Sequence, residues 1–429
     1  MTKRNRTILF YICLFLFILT APAAVLYSQG YRINFKVDSG SDFITQTGGL
    51  FVKVEPKQAE IYIDGKLSKK TNFLFGSTLI ENLVPQKYDI VIKKDGYQPW
   101  EKILQVKEKQ VTETKSVVLF PEDPAYSILS TNVNDFWLSE DCKKIVLQEK
   151  ESETSTAWSL KMHNITNGIK SQLITDKEIY KNGKELLDVS FSQDQSQLYL
   201  KIGSLEQIKN FVLNLADNSL SQDSATSSIP SDVIASKESG NKTYFLDQEG
   251  YVYESDSTYL KGKKINNQAF QVDQETDYEL YVFYNQYFIR KGEILYKFNS
   301  ESSVFEKIFD YLRGLVLSPD SQKIVYYSNS EIWIMFLQNN LEQPQRKAGE
   351  KIFLTRFSEK IENIYWINSN YLVFTVGSSI KISEIDNRDK VNIFNLGTFE
   401  SPKSFFNIFD KKLYVLSGDT LYYSVSLTP

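Results

Sequence analysis

The chain has 429 residues, of which 42% are hydrophobic and 24% charged, with a net charge of −4. That length exceeds one compact core, so two or more folded units are expected, and the weak negative charge excludes a nucleic-acid binder built on a broad basic face. Two cysteines far apart, Cys13 and Cys142, exclude a disulfide framework, and a single imidazole, His163, excludes zinc sites that need two or three; no metal or cofactor is expected.

Lys3, Arg4 and Arg6 precede an uncharged apolar run over residues 8–26 that includes Phe10, Leu14, Phe15, Leu16, Phe17, Ile18 and Leu19. About 19 residues at ~1.5 Å each span a hydrocarbon core. The basic flank comes first, which predicts a cytoplasmic tail (1–6), a transmembrane signal anchor (7–27) and an extracytoplasmic remainder, with Tyr27 and Tyr31 at the far interface. Ala21-Pro22-Ala23 also fits a signal-peptide cleavage site, so removal after Ala23 competes with retention. Both readings export the rest of the chain. Residues 28–49 read as a spacer, because Ser39, Gly40, Ser41, Gly48 and Gly49 interrupt every period.

Over 50–121, short alternating strands are punctuated by turns. Ala59-Glu60-Ile61-Tyr62-Ile63 ends at Asp64-Gly65, a hairpin signal because both residues tolerate positive φ. Tyr88-Asp89-Ile90-Val91-Ile92 ends near Asp95-Gly96, and Ile103, Val111, Val117 and Leu119 mark further strands of a small sandwich. The stretch Pro56-Lys57-Gln58-Ala59, followed by the strand and the Asp-Gly turn, resembles the PEGA domain, as do Gln86-Lys87-Tyr88 and the Gly96-Tyr97 pair. Lys57 and Gln58 replace the Glu and Gly of the family tetrad, and no Gly precedes Tyr88. The resemblance implies a non-catalytic structural or interaction module of bacterial and archaeal surface proteins.

After a stiff linker with Pro121, Asp123 and Pro124, one pattern recurs over 122–429. Its clearest copy is Leu315-Val316-Leu317-Ser318-Pro319-Asp320-Ser321-Gln322-Lys323-Ile324-Val325, followed by a strand bearing Trp333. An apolar strand, a Ser-x-Asp turn, a second strand, a polar turn and a third strand describe most of a four-stranded propeller blade. Weaker copies start near Trp137, Val189, Thr243, Glu279, Tyr365 and Phe406, which predicts a β-propeller of about seven blades; six or eight also fit. Closure is expected between a C-terminal strand and residues 126–129. The Ser-Pro-Asp block resembles the WD40-like repeats of TolB-type propellers.

Candidate chemistry is sparse. His163 falls at a strand end without a nucleophile motif. Asp141, Asp194 and Asp320 share the repeat-turn position and read as turn caps. Glu275-Thr276-Asp277 lacks the alternating ligands and Gly of a calcium loop. Asn164 and Asn241 head N-glycosylation sequons, and residues 381–390 read as a strand followed by a solvated loop. The expectation is an all-β protein with an N-terminal transmembrane helix, a PEGA-like sandwich and a propeller. It would be a membrane-anchored extracytoplasmic scaffold of the cell envelope, not an enzyme, binding a protein or cell-wall glycan and no nucleic acid. No individual catalytic, cofactor, metal or binding residue is assigned. A TolB-like accessory subunit and a propeller glycosidase or lyase are the alternatives.

Overall fold

The computed structural model describes residues 3–33, 44–152, 155–179, 185–204, 207–222, 229–256 and 259–428. Ser39, Gly40 and Ser41 lie outside the described residues.

The N-terminal helix, Lys3–Ser28, carries Pro22 inside it, and its apolar side chains are exposed along its length. Its Asn5–Ser28 portion has a mean hydropathy of 2.5 and is long and apolar enough to cross a membrane. The following segment differs from the expected spacer. Tyr31–Ile33 pairs antiparallel with Ile44–Gln46, and Arg32 donates to Asn82 Oδ1 at 2.9 Å, so the helix end is fastened directly to the next unit.

That unit is a two-sheet sandwich. Ser77–Leu83, Gly48–Glu55 and Val111–Val118 form one sheet, in which the last two run parallel. Lys66–Lys70, Glu60–Ile63, Lys87–Lys93 and Trp100–Gln105 form the other. Alternation turns Leu50, Val52 and Val54 inward against Ile61, Ile90, Ile92, Trp100 and Leu104. Asp64 and Gly65 make the expected two-residue hairpin loop, with φ of 48° and 75°.

The described residues between 126 and 424 form seven four-stranded antiparallel sheets, arranged as a β-propeller. Six are built from consecutive strands, beginning at Val133–Leu138, Leu186–Phe191, Val233–Ser239, Tyr278–Phe283, Gly314–Leu317 and Ile361–Asn368. The last adds Tyr126–Ser130 to Thr420–Ser424, with Tyr126 opposite Ser424 and Ile128 opposite Tyr422, so the first strand closes the last sheet as expected. Adjacent sheets pack through apolar clusters such as Val325, Ile332, Trp366, Leu372 and Phe374. Trp366 Nε1 also donates to Val316 O, and Asn407 Nδ2 to Cys142 O, across sheet boundaries.

Candidate functional site

The Ser-x-Asp turns explain themselves at atomic detail. Ser139, Ser192 and Ser318 each donate from Oγ to the Oδ1 of Asp141, Asp194 and Asp320. Each serine Oγ then accepts the backbone N–H five residues on, from Lys144, Gln197 and Lys323. Each aspartate caps a further N–H, on Lys143, Ser196 and Gln322. Hydrogen bonds from Ser192 and Ser196 hold the Asp194 carboxyl down at about 2. For Asp141 and Asp320 burial works the other way, and the serine bonds, with the Lys323 ammonium at Asp320, outweigh it and lower both. These carboxylates are engaged in turns, and the structure keeps them in separate sheets.

The other candidates are also dispersed. His163 sits near the end of Trp158–Asn164, opposite Ile145 and Lys170, and burial followed by the Lys170 charge lowers its pKa. Glu275 and Asp277 are exposed, and no group of ligating side chains suited to a metal occurs among the described residues. Asn164 Oδ1 accepts the Thr166 N–H, and Asn241 is exposed in a tight turn. Cys13 and Cys142 are free thiols.

Residues 381–390 differ most from expectation. Their loop is not simply solvated: it is the seat on which the sandwich docks. Lys102 is 1% exposed, and its Nζ lies 2.8 Å from Glu384 Oε1. It also donates to the carbonyls of Asp386, Arg388 and Lys390 at 2.8, 2.9 and 2.5 Å. Glu384 accepts Trp100 Nε1 at 2.8 Å and both the N–H and the side-chain amide of Asn392. Burial pushes the Glu384 carboxyl up, against the pull of the Lys102 ammonium. Around this buried pair, Arg388 donates to Glu113 O, Asn392 to Glu101 O, and Val118 N–H to the Tyr371 hydroxyl. Gln343 accepts from Glu113 N and donates to Val111 O, which mimics a strand and covers the edge of Val111–Val118. The cavity beside the junction encloses about 60 Å³, room for a few waters and no organic ligand.

Sequence reasoning passed over Lys102 and Glu384, yet a signal was there. Trp100, Lys102 and Leu104 share one face of their strand, and Ile380, Ile382 and Glu384 share one face of theirs. A charge in the buried register of an alternating strand requires a partner.

The junction decides which propeller face is free. In an antiparallel four-stranded sheet, first-to-second and third-to-fourth strand turns share one end, and the remaining connections share the other. The sandwich sits on third-to-fourth connections, at residues 337–350 and 385–392. The opposite face is rich in exposed carboxylates, among them Glu249, Glu275, Asp277, Glu293, Glu359 and Glu400. The basic residues within the connections of that face, among the described ones, are Lys177, Arg313 and Lys360, and they pair with Glu151, Glu293 and Glu362.

The two-sheet sandwich, with its parallel pair and its Asp64-Gly65 hairpin, coincides with a family match. Residues 47–118 form a PEGA domain. The PEGA domain therefore spans from the strand that follows the Tyr31–Ile33 and Ile44–Gln46 ribbon to the last strand before the propeller. No curated protein matches the chain. Among solved structures, the chain is similar to the β-propeller domain of Cps50 (Swd1) from Myceliophteria thermophila, at 10% identity over 71% of this chain and 100% of that one, with a TM-score of 0.42. It is also similar to YCF48 from Cyanidioschyzon merolae, at 9% identity over 70% and 98% of the two chains, TM-score 0.41. An oligogalacturonate lyase in complex with manganese is similar at 12% identity over 71% and 93%, TM-score 0.41. These likenesses concern the propeller fold and nothing further.

Proposed function

We propose that this chain is a membrane-anchored scaffold of the cell envelope that displays its propeller outside the cytoplasm, binds a protein or cell-wall glycan, and catalyses no reaction. The observation that carries this reading is the division of faces. The PEGA domain is locked onto one side of the propeller by the buried Lys102–Glu384 pair, and the loops of the other side are left free. Loops gathered on a rigid ring are a suitable binding surface. The carboxylate-rich character of that face favours a partner that presents basic groups, and it disfavours phosphate backbones.

The anchor half of the proposal rests on Lys3, Arg4 and Arg6 ahead of the apolar helix, which favour a cytoplasmic N-terminus. The absence of catalysis is supported by the engagement of the repeat carboxylates as turn caps and of Glu384 with Lys102. The test is site-specific photocrosslinking in intact cells, with p-benzoylphenylalanine at Glu249 or Glu400 on the free face and at Gln322 on the sandwich side. A protein or glycan adduct from the free-face positions is expected. Adducts from Gln322 alone, or none, would overturn the assignment of the face. Depolymerisation of a polysaccharide by the purified chain would overturn the non-enzymatic reading.

A further inference from the structure

Phe73, Leu74 and Phe75 are consecutive, and they are 64%, 55% and 71% exposed. They join the edge strand Lys66–Lys70 of one PEGA sheet to Ser77–Leu83 of the other. Apolar side chains so exposed in a row are costly in water unless something covers them.

The loop is held in one shape. Asn72 Oδ1 accepts the N–H groups of Leu74 and Phe75, Gly76 N–H bonds to Asn72 O, and Lys57 Nζ reaches Leu74 O at 2.7 Å. At Gly76, φ is 65° and a Cβ would lie 2.5 Å from Val54 O, so the chain must turn there with no side chain. The three side chains are thus presented as a fixed ridge, which lowers the entropic cost of binding.

Beside the ridge runs a groove of about 560 Å³ lined by Glu55, Pro56, Lys57, Gln58, Phe73 and Lys94. Lys94 bonds to Lys57 O, and Lys69, on the neighbouring strand, to Leu79 O. Lys57, Lys69 and Lys94 therefore rest on backbone carbonyls and form no ion pair with a carboxylate of the described chain. An apolar ridge rimmed by three ammonium groups, against the one carboxylate of Glu55, complements a surface that is apolar and acidic.

Two such surfaces exist, an anionic membrane and an acidic protein segment. Geometry favours the second. The anchor helix leaves from the far end of the PEGA domain, where Thr47 N–H bonds to Gly30 O and Arg32 to Asn82. Ser77–Leu83 runs from the ridge to that end, a span of roughly 20 Å. The propeller lies along other strands, Trp100–Gln105 and Val111–Val118, and leaves the ridge clear. We infer that the Phe73-Leu74-Phe75 ridge and its lysine-lined groove are a second docking site, separate from the propeller face, for an acidic protein segment that supplies aliphatic or aromatic side chains.

The test uses the full chain in neutral phosphatidylcholine nanodiscs. The probes are a fluorescent amphipathic helical peptide with leucine on one face and glutamate on the other, its counterpart with lysine for glutamate, and phosphatidylglycerol vesicles. Saturable binding of the glutamate peptide is expected, weakened about tenfold or more by Phe73→Ser with Phe75→Ser and separately by Lys57→Gln with Lys94→Gln. Phe73, Phe75 and Lys57 are exposed and Lys94 is half-buried, with the two lysines bonded only to backbone carbonyls, so melting temperature should change little; if the phenylalanine variant does not fold, the lysine variant decides the question. Equal binding by parent and variants, no saturable binding, preference for the lysine peptide, or ridge-dependent binding to the vesicles instead would overturn the inference.

Discussion

Lys102→Met should uncouple the PEGA domain from the propeller. Methionine keeps the apolar stem of the side chain, so the change removes the charge and its hydrogen bonds while largely preserving volume. What remains is the Glu384 carboxylate, 3% exposed, without its cation, and the carbonyls of Asp386, Arg388 and Lys390 without their donor. Removing one partner of a buried pair costs about 3–5 kcal/mol. Glu384→Gln should cost less, about 2–3 kcal/mol, because the ammonium keeps its three carbonyls. The double variant should cost less than the sum of the two, by about 2 kcal/mol. Urea unfolding followed by tryptophan emission measures this, since Trp100 Nε1 donates to Glu384 and reports on the junction. The parent should unfold in one transition and Lys102→Met in two. Burial raises the Glu384 carboxyl, and loss of Lys102 raises it further. A folded pKa above the unfolded one means the folded state binds more protons, so the deficit of the variant should shrink as pH falls. A Lys102→Met variant within about 0.5 kcal/mol of the parent, with no coupling to Glu384, would refute the reasoning.

Ser321 holds φ of 57° in the turn after Ser318, so Ser321→Gly should relieve left-handed strain and raise stability by about 0.5–1 kcal/mol, read as a higher urea midpoint. The lowered carboxyls of Asp141, Asp194 and Asp320 contribute stability that is present above their unfolded pKa of ~3.9 and is lost as pH falls through their folded values, about 2 for Asp194. Melting temperature should therefore drop between roughly pH 5 and 2, and Asp194→Asn should flatten part of that drop. Tyr422→Pro places a residue without an N–H in a strand paired on both sides, with Ile128 and with Val415, and should cost about 3 kcal/mol or more in thermal unfolding by opening the closing sheet.

The outline of the fold was legible because it depends on local patterns. The Ser-x-Asp turns at Ser139, Ser192 and Ser318 announce a strand pair through side chains that cap their own backbone, and the Asp64-Gly65 hairpin does the same. Where those residues are absent the signal fades. The third repeat shows itself in sequence only from Thr243 onward, because its first strand, Val233–Ser239, alternates too weakly to mark itself. The ribbon of Tyr31–Ile33 with Ile44–Gln46 leaves no sequence signal because each strand is three residues long. The junction is silent in the sequence for a different reason. Lys102 and Glu384 are 282 positions apart, and neither looks unusual until its strand register is assigned. Likewise, nothing in the sequence marks Phe73-Leu74-Phe75 as exposed, and only the turn built by Asn72 and Gly76 shows it.

The proposed tethered propeller displays its free face outside the cytoplasm. Glu249→Cys, in a chain with Cys13→Ala and Cys142→Gly, places one thiol on that face. A membrane-impermeant maleimide applied to intact cells should label it as fully as in lysed cells. Labelling only after lysis would contradict the account.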